Sequence, residues 1–147
     1  MYPSAMLTYE SKVVITARRD RIWSVIADVE RWPDWTPTVS RIEPLDAPAL
    51  SLGARFRILQ PRLRPAIWTV TDVRATQGFV WETRFPGTRI AAEHWIYPSS
   101  GVGYDVLLRV SFSGLLGVAL GTFTRRLTKS YLAQEATSLK QTIDTGA

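Results

Sequence analysis

Residues 22–39 read IWSVIADVERWPDWTPTV, and the reading of this stretch decides the architecture. Ile22, Trp23, Val25, Ile26 and Val29 recur at helical spacing, so the first half predicts a helix with one apolar stripe. The second half breaks it. Pro33 and Pro37 lack N–H donors and push the residue before each towards extended geometry, so no straight helix covers the whole segment. A helix and a tryptophan-rich elbow, followed by several strands and one long closing helix, predict a sheet wrapped around a helix. That arrangement tends to enclose a cavity.

Upstream, Tyr9 to Ala17 reads as the first strand, with Val13 and Ile15 on one face. Asp20 is placed to cap the first helix. Downstream, Val39 to Leu45 predicts a second strand, and the Pro- and Gly-bearing run Asp46 to Gly53 a loop. Strand-like runs then cover Ala54 to Gln60, Ala66 to Val73, Phe79 to Phe85, Arg89 to Tyr97 and Gly103 to Ser113. Their short connections imply an antiparallel meander. From Leu115 the period turns helical. Leu116, Leu120, Phe123, Leu127, Tyr131, Leu139 and Ile143 share one face, predicting an amphipathic helix of about 25 residues. Gly117 and Gly121 weaken its start and would let it lie close to the sheet or leave room for a ligand.

Composition narrows the function. The 147 residues are 46% hydrophobic, which suits one domain spanning 1–147 with a sizeable core. No run reaches the roughly 18 to 20 apolar residues that span a bilayer, and the N-terminus has neither a basic nor an apolar leader segment. A cytoplasmic protein without stable membrane insertion is expected. Absence of cysteine excludes disulfides, thiol nucleophiles and thiolate metal sites. With His94 as the lone histidine, no metal site and no cofactor are expected. No phosphate loop, GxSxG elbow or HExxH motif is present. The net charge of +5 comes mainly from scattered arginines, with lysine at Lys12, Lys129 and Lys140. No nucleic-acid docking motif accompanies them, so a solvated basic surface is expected rather than a nucleic-acid site.

In this order the chain resembles the START-like (SRPBCC) superfamily of polyketide cyclase/dehydrase and lipid-transport type. The resemblance rests on Ile22 to Asp28, Trp32-Pro33-Asp34-Trp35, Gly53, Trp68 to Val73, Phe79 to Glu82, His94, Phe112 to Leu116 and the closing helix. It implies an α+β helix-grip fold. A curved seven-stranded antiparallel sheet would grip the C-terminal helix, with two short helices after the first strand and an apolar cavity between sheet and helix. Its members include ligand carriers, hormone sensors and aromatic cyclases, so activity has to be argued from the site.

Strand alternation nominates the cavity wall. Phe112 facing inward brings Val110 and Leu108 with it, and leaves Arg109 and Asp105 to solvent. In the preceding strand His94 and Ile96 share a face, opposite Glu93, Trp95 and Tyr97. His94 is taken as inward because family members often carry a polar residue there. The alternation alone leaves the reverse assignment, with Trp95 inside, equally open. The candidate ligand-binding set is His94, Ile96, Leu108, Val110, Phe112, Leu120, Phe123, Leu127 and Tyr131. His94 is also the candidate catalytic group, since imidazole exchanges protons near neutral pH; a structural histidine bonded to a carbonyl is the plainer alternative. Strict alternation puts Trp68, Val70 and Asp72 on one face of their strand, opposite Thr69, Thr71 and Val73, and Asp72 beside Arg74 reads as a solvated ion pair.

The expected function is binding of a small hydrophobic molecule, lipid-like or aromatic and polyketide-like. The enzymatic alternative is a cyclase or dehydratase using the same cavity, with His94 and Tyr131 handling protons. A third reading, a membrane-surface protein, rests on the basic charge and the apolar run Gly114 to Leu120. It ranks last because that run is already explained as a buried helix start. Exposed edge strands would permit a homodimer without demanding one.

Overall fold

The computed structural model describes residues 6–146. Seven strands form one antiparallel sheet: β1 (Met6–Ile15), β2 (Arg41–Pro44), β3 (Arg55–Leu59), β4 (Ala66–Arg74), β5 (Gly78–Phe85), β6 (Thr88–Pro98) and β7 (Tyr104–Ser113). Their order is β1-β7-β6-β5-β4-β3-β2, so every neighbouring pair except β1–β7 is a sequential hairpin. Between β1 and β2 lie α1 (Arg19–Ala27), a 3-10 turn (Val29–Arg31) and α2 (Trp32–Trp35). The chain closes with α3 (Leu115–Phe123) and α4 (Arg125–Asp144), and α4 packs against β1 and β7. This is the helix-grip architecture.

The elbow forms as its prolines dictate. Pro33 occupies the first turn of α2, where its missing donor costs nothing, and Thr36 ends the turn by donating its N–H to the Trp32 carbonyl at 2.9 Å. Trp32 is buried and donates its indole N–H to the Ile26 carbonyl at 3.0 Å, which pins the elbow onto α1. Asp20 is not the cap of α1. Arg18 holds that position without a side-chain capping bond, and Asp20 sits in the first turn, where its charge still favours the helix N-terminus.

Two other expectations fail for identifiable reasons. A bulge between Val70 and Asp72 breaks the alternation of β4. Asp72 therefore leaves the Trp68 and Val70 face, joins the outer surface and pairs with Arg74 at 3.3 Å, while Val73 turns towards the core. The closing helix is two helices rather than one. Thr122 and Thr124 each donate a hydroxyl to the carbonyl four residues earlier, both at 2.8 Å, and such back-bonding bends helices. Thr124 leaves helical geometry (φ −96°, ψ 16°) and α4 starts anew.

The break rotates α3, so its buried residues are Gly117 and Gly121 instead of its leucines. A Cβ on Gly121 would sit 2.7 Å from the Phe112 ring and 3.0 Å from Leu7. Only glycine permits this approach, which is fixed by the Tyr9 hydroxyl donating to the Gly121 carbonyl at 2.9 Å. Phe123, expected on the inward face, is 89% exposed.

Candidate functional site

The inner face of the sheet and α4 do not meet everywhere. Between them lies a cavity of about 150 Å³. Alternation sends Phe79, Trp81 and Thr83 of β5 inward and Glu82 and Arg84 outward, a choice the strand's own pattern could not make. The cavity floor is aromatic. Trp32 from the elbow lies 5.3 Å from Trp81 and 5.2 Å from His94 between ring centroids, and Trp68 lies 6.2 Å from Trp81. Ile90, Ala92, Val110 and Phe112 supply the wall from β6 and β7. On α4, the i,i+4 spacing of Leu127, Tyr131 and Glu135 puts all three on the cavity, the buried Leu132 lines it beside them, and Leu139 and Ile143 are buried in the core.

His94 faces inward, 4% exposed, and Trp95 lies on the other side of the sheet beside Arg74. The His94 ring stacks on Phe79 at 4.3 Å, and Nδ1 lies 3.3 Å from the Phe79 carbonyl. With the proton on Nδ1 this is a donated hydrogen bond, and Nε2 is left as an acceptor. Burial drives the His94 pKa down to about 4, and the Phe79 carbonyl opposes the shift only in part. The imidazole is therefore neutral at physiological pH.

Glu135 is the group that sequence reading missed. Its carboxyl lies among apolar and aromatic walls, and desolvation raises its pKa to about 7, against a smaller lowering by the Thr38 hydroxyl. Its side chain keeps partial solvent contact because it opens into the cavity, yet protein surrounds that opening. The signal was present in the four-residue steps from Leu127 and Tyr131. A stripe scored on apolar residues alone skipped to Leu139.

The mouth lies between α4 and the β3–β4 loop. The Tyr131 hydroxyl donates to the Pro61 carbonyl across it, and Gln60 and Leu63 line the same edge. Burial raises the Tyr131 phenol pKa and the nearby Arg62 guanidinium opposes this, so the hydroxyl stays a protonated donor.

Of the nominated residues, His94, Val110, Phe112, Leu120, Leu127 and Tyr131 line the cavity. Ile96 and Leu108 share the inward face but are buried in the core away from the cavity wall, and Phe123 points to solvent. A larger open depression on the sheet's outer face is lined by Glu10, Glu82, Arg89, Glu93 and Arg109. These charges satisfy one another: Arg109 meets Glu10 at 2.6 Å and Glu93 at 3.6 Å, and Arg89 bonds Glu82. It is a solvated ion-pair lattice, not an enclosed site.

With this geometry in place, sequence comparison matches residues 6–144 to the family described as polyketide cyclase/dehydrase and lipid transport. The chain belongs to that family. No curated protein matches it in sequence. Norcoclaurine synthase from Thalictrum flavum, solved with dopamine and hydroxybenzaldehyde, superposes with a TM-score of 0.75 at 11% identity, covering 98% of this chain and 90% of that one. The Zhui aromatase/cyclase from a Streptomyces species superposes at 0.67 with 16% identity, covering 95% and 96% of the two chains. The di-domain aromatase/cyclase StfQ of the steffimycin pathway gives 0.72 at 13% identity; this chain is covered to 97% and spans 52% of StfQ. At these identities the likeness is one of fold. Among the described residues no His, Cys, Asp and Glu cluster could hold a metal, and no helix is long and apolar enough to cross a membrane.

Proposed function

We propose that this protein binds a small hydrophobic molecule, about one aromatic ring in size and carrying one polar group, between the sheet and α4. The observation that carries this reading is the aromatic cavity between sheet and helix, with a single carboxyl, Glu135, on its wall. An apolar cavity of about 150 Å³ holds a benzene-sized guest, so a sterol or fused polycycle enters only if α4 and the β3–β4 loop part. The rings of Trp32, Trp68 and Trp81 supply stacking surface, and Glu135 and Tyr131 supply polar anchors. The single-ring compounds bound in the norcoclaurine synthase structure are of this size class.

The cyclase or dehydratase alternative draws on one specific observation. Glu135, held near pKa 7, can exchange a proton at neutral pH, and neutral His94 is a second acceptor on the same cavity. On this reading Glu135, more than His94, moves the proton.

Calorimetric titration with phenols, benzaldehydes and straight-chain fatty acids tests the binding reading. Ala92, 9% exposed on the cavity wall, is the control site, because Ala92→Leu fills the void without adding charge. Single-ring compounds are expected to bind the natural protein and to lose at least about tenfold in affinity with Ala92→Leu, the equivalent of 1.4 kcal/mol. Equal affinity in both proteins would remove the cavity as the site.

A further inference from the structure

Helix α3 turns its large apolar side chains outward. Leu115 is 93% exposed, Leu116 59% and Phe123 89%, while the sheet side of the helix is glycine. Nothing in the described residues covers this face. A contiguous apolar surface rimmed by polar residues marks an interaction site more often than chance exposure does. The buried helix start anticipated from the sequence does not exist here, so the apolar run Leu115 to Leu120 needs another explanation.

Charge identifies the occupant. Arg125 and Arg126 follow α3 directly, and both are exposed. Across the cavity mouth, the loop Pro61-Arg62-Leu63-Arg64-Pro65 presents Leu63, 41% exposed, between two exposed arginines. None of these four arginines makes an ion pair with another described residue within 4 Å. No acidic residue occurs between Asp105 and Glu135 or between Asp46 and Asp72, so neither element carries a countercharge of its own. The Glu135 carboxyl opens into the cavity. A second copy docking face to face would bring the basic patch of one chain up to the basic patch of the other. An anionic surface suits both the apolar and the basic groups.

We propose that α3 and the tip of the β3–β4 loop dock this protein reversibly on anionic lipid bilayers. Leu115, Leu116, Leu63 and Phe123 enter the headgroup and acyl boundary, and Arg62, Arg64, Arg125 and Arg126 face lipid phosphates. At nine residues α3 is too short to span a bilayer and lies along its plane. Leu63, Leu120 and Thr124 belong to the mouth of the cavity as well, so docking turns that mouth towards the lipid.

Cosedimentation of the full chain with phosphatidylcholine vesicles, with and without phosphatidylglycerol, tests the proposal. Binding is expected only to the anionic vesicles and should weaken as salt rises. Arg125→Ala with Arg126→Ala should lower the partition coefficient roughly 30-fold, about fivefold for each charge removed near the surface. Phe123→Glu should lower it at least as far while leaving the circular dichroism spectrum and melting temperature unchanged. No binding to anionic vesicles at low salt overturns the proposal, as does binding that Phe123→Glu leaves intact. A concentration-dependent dimer that Phe123→Glu abolishes, in a protein that ignores vesicles, overturns it in favour of a second copy.

Discussion

Burial moves His94 and Glu135 in opposite directions, and the consequence is a stability that hides its own pH dependence. His94 titrates at about 4 when folded and near 6.5 when unfolded, so acidification from 6.5 to 4 protonates the unfolded chain first and costs stability. Glu135 titrates at about 7 when folded and near 4.5 when unfolded. Raising the pH from 4.5 to 7 therefore ionises the unfolded chain first and also costs stability. Across the shared window the two slopes oppose each other. Glu135→Gln leaves the His94 contribution alone, so urea midpoints of that variant should climb with pH between 4 and 6.5. The climb should be on the order of 3 kcal/mol. At pH 8 the variant should be more stable than the natural protein, by less than this because Glu135 keeps some solvent contact. Identical stability of the two proteins at pH 8 would mean that Glu135 is already solvated.

Among the elements, α3 shows how glycine and threonine override an apolar pattern. Leu116, Leu120 and Phe123 fit the same stripe as Leu127 and Tyr131 only if one straight helix carries them all. The back-bonds from Thr122 and Thr124 end that helix, and Gly117 and Gly121 then offer a closer approach to the sheet than any leucine face could. Neither effect is visible in periodicity, which counts side chains and not backbone proximity. Gly121→Ala should gain helix propensity yet lose stability overall, by about 1–2 kcal/mol, because its methyl collides with Phe112 and Leu7. Thermal melting checks this, and a stabilised variant would show that α3 can lift off the sheet. The bulge in β4 defeated alternation in the same way: one extra residue exchanged the faces of Asp72 and Val73.

At the scale of the molecule, the order of elements was legible because Pro or Gly falls in every connection between the strand runs from Ala54 to Ser113, and because Pro33 and Pro37 admit no straight helix. The cavity was legible only by half. Alternation places Val110 and Phe112 on its wall once a single inward residue is known, but it cannot tell a lining residue from a core one, and Ile96 and Leu108 fell on the core side. Tryptophan gives the most direct test of the whole account, since the six indoles are distributed inside and outside the cavity. Indole N–H resonances should be followed by NMR as a single-ring phenol is titrated in. The resonances of Trp32, Trp68 and Trp81 on the cavity wall should shift, with those of Trp23 and Trp95 unmoved. Shifts confined to Trp23 or Trp95, or none at all at saturating phenol, would contradict a ligand site between the sheet and α4.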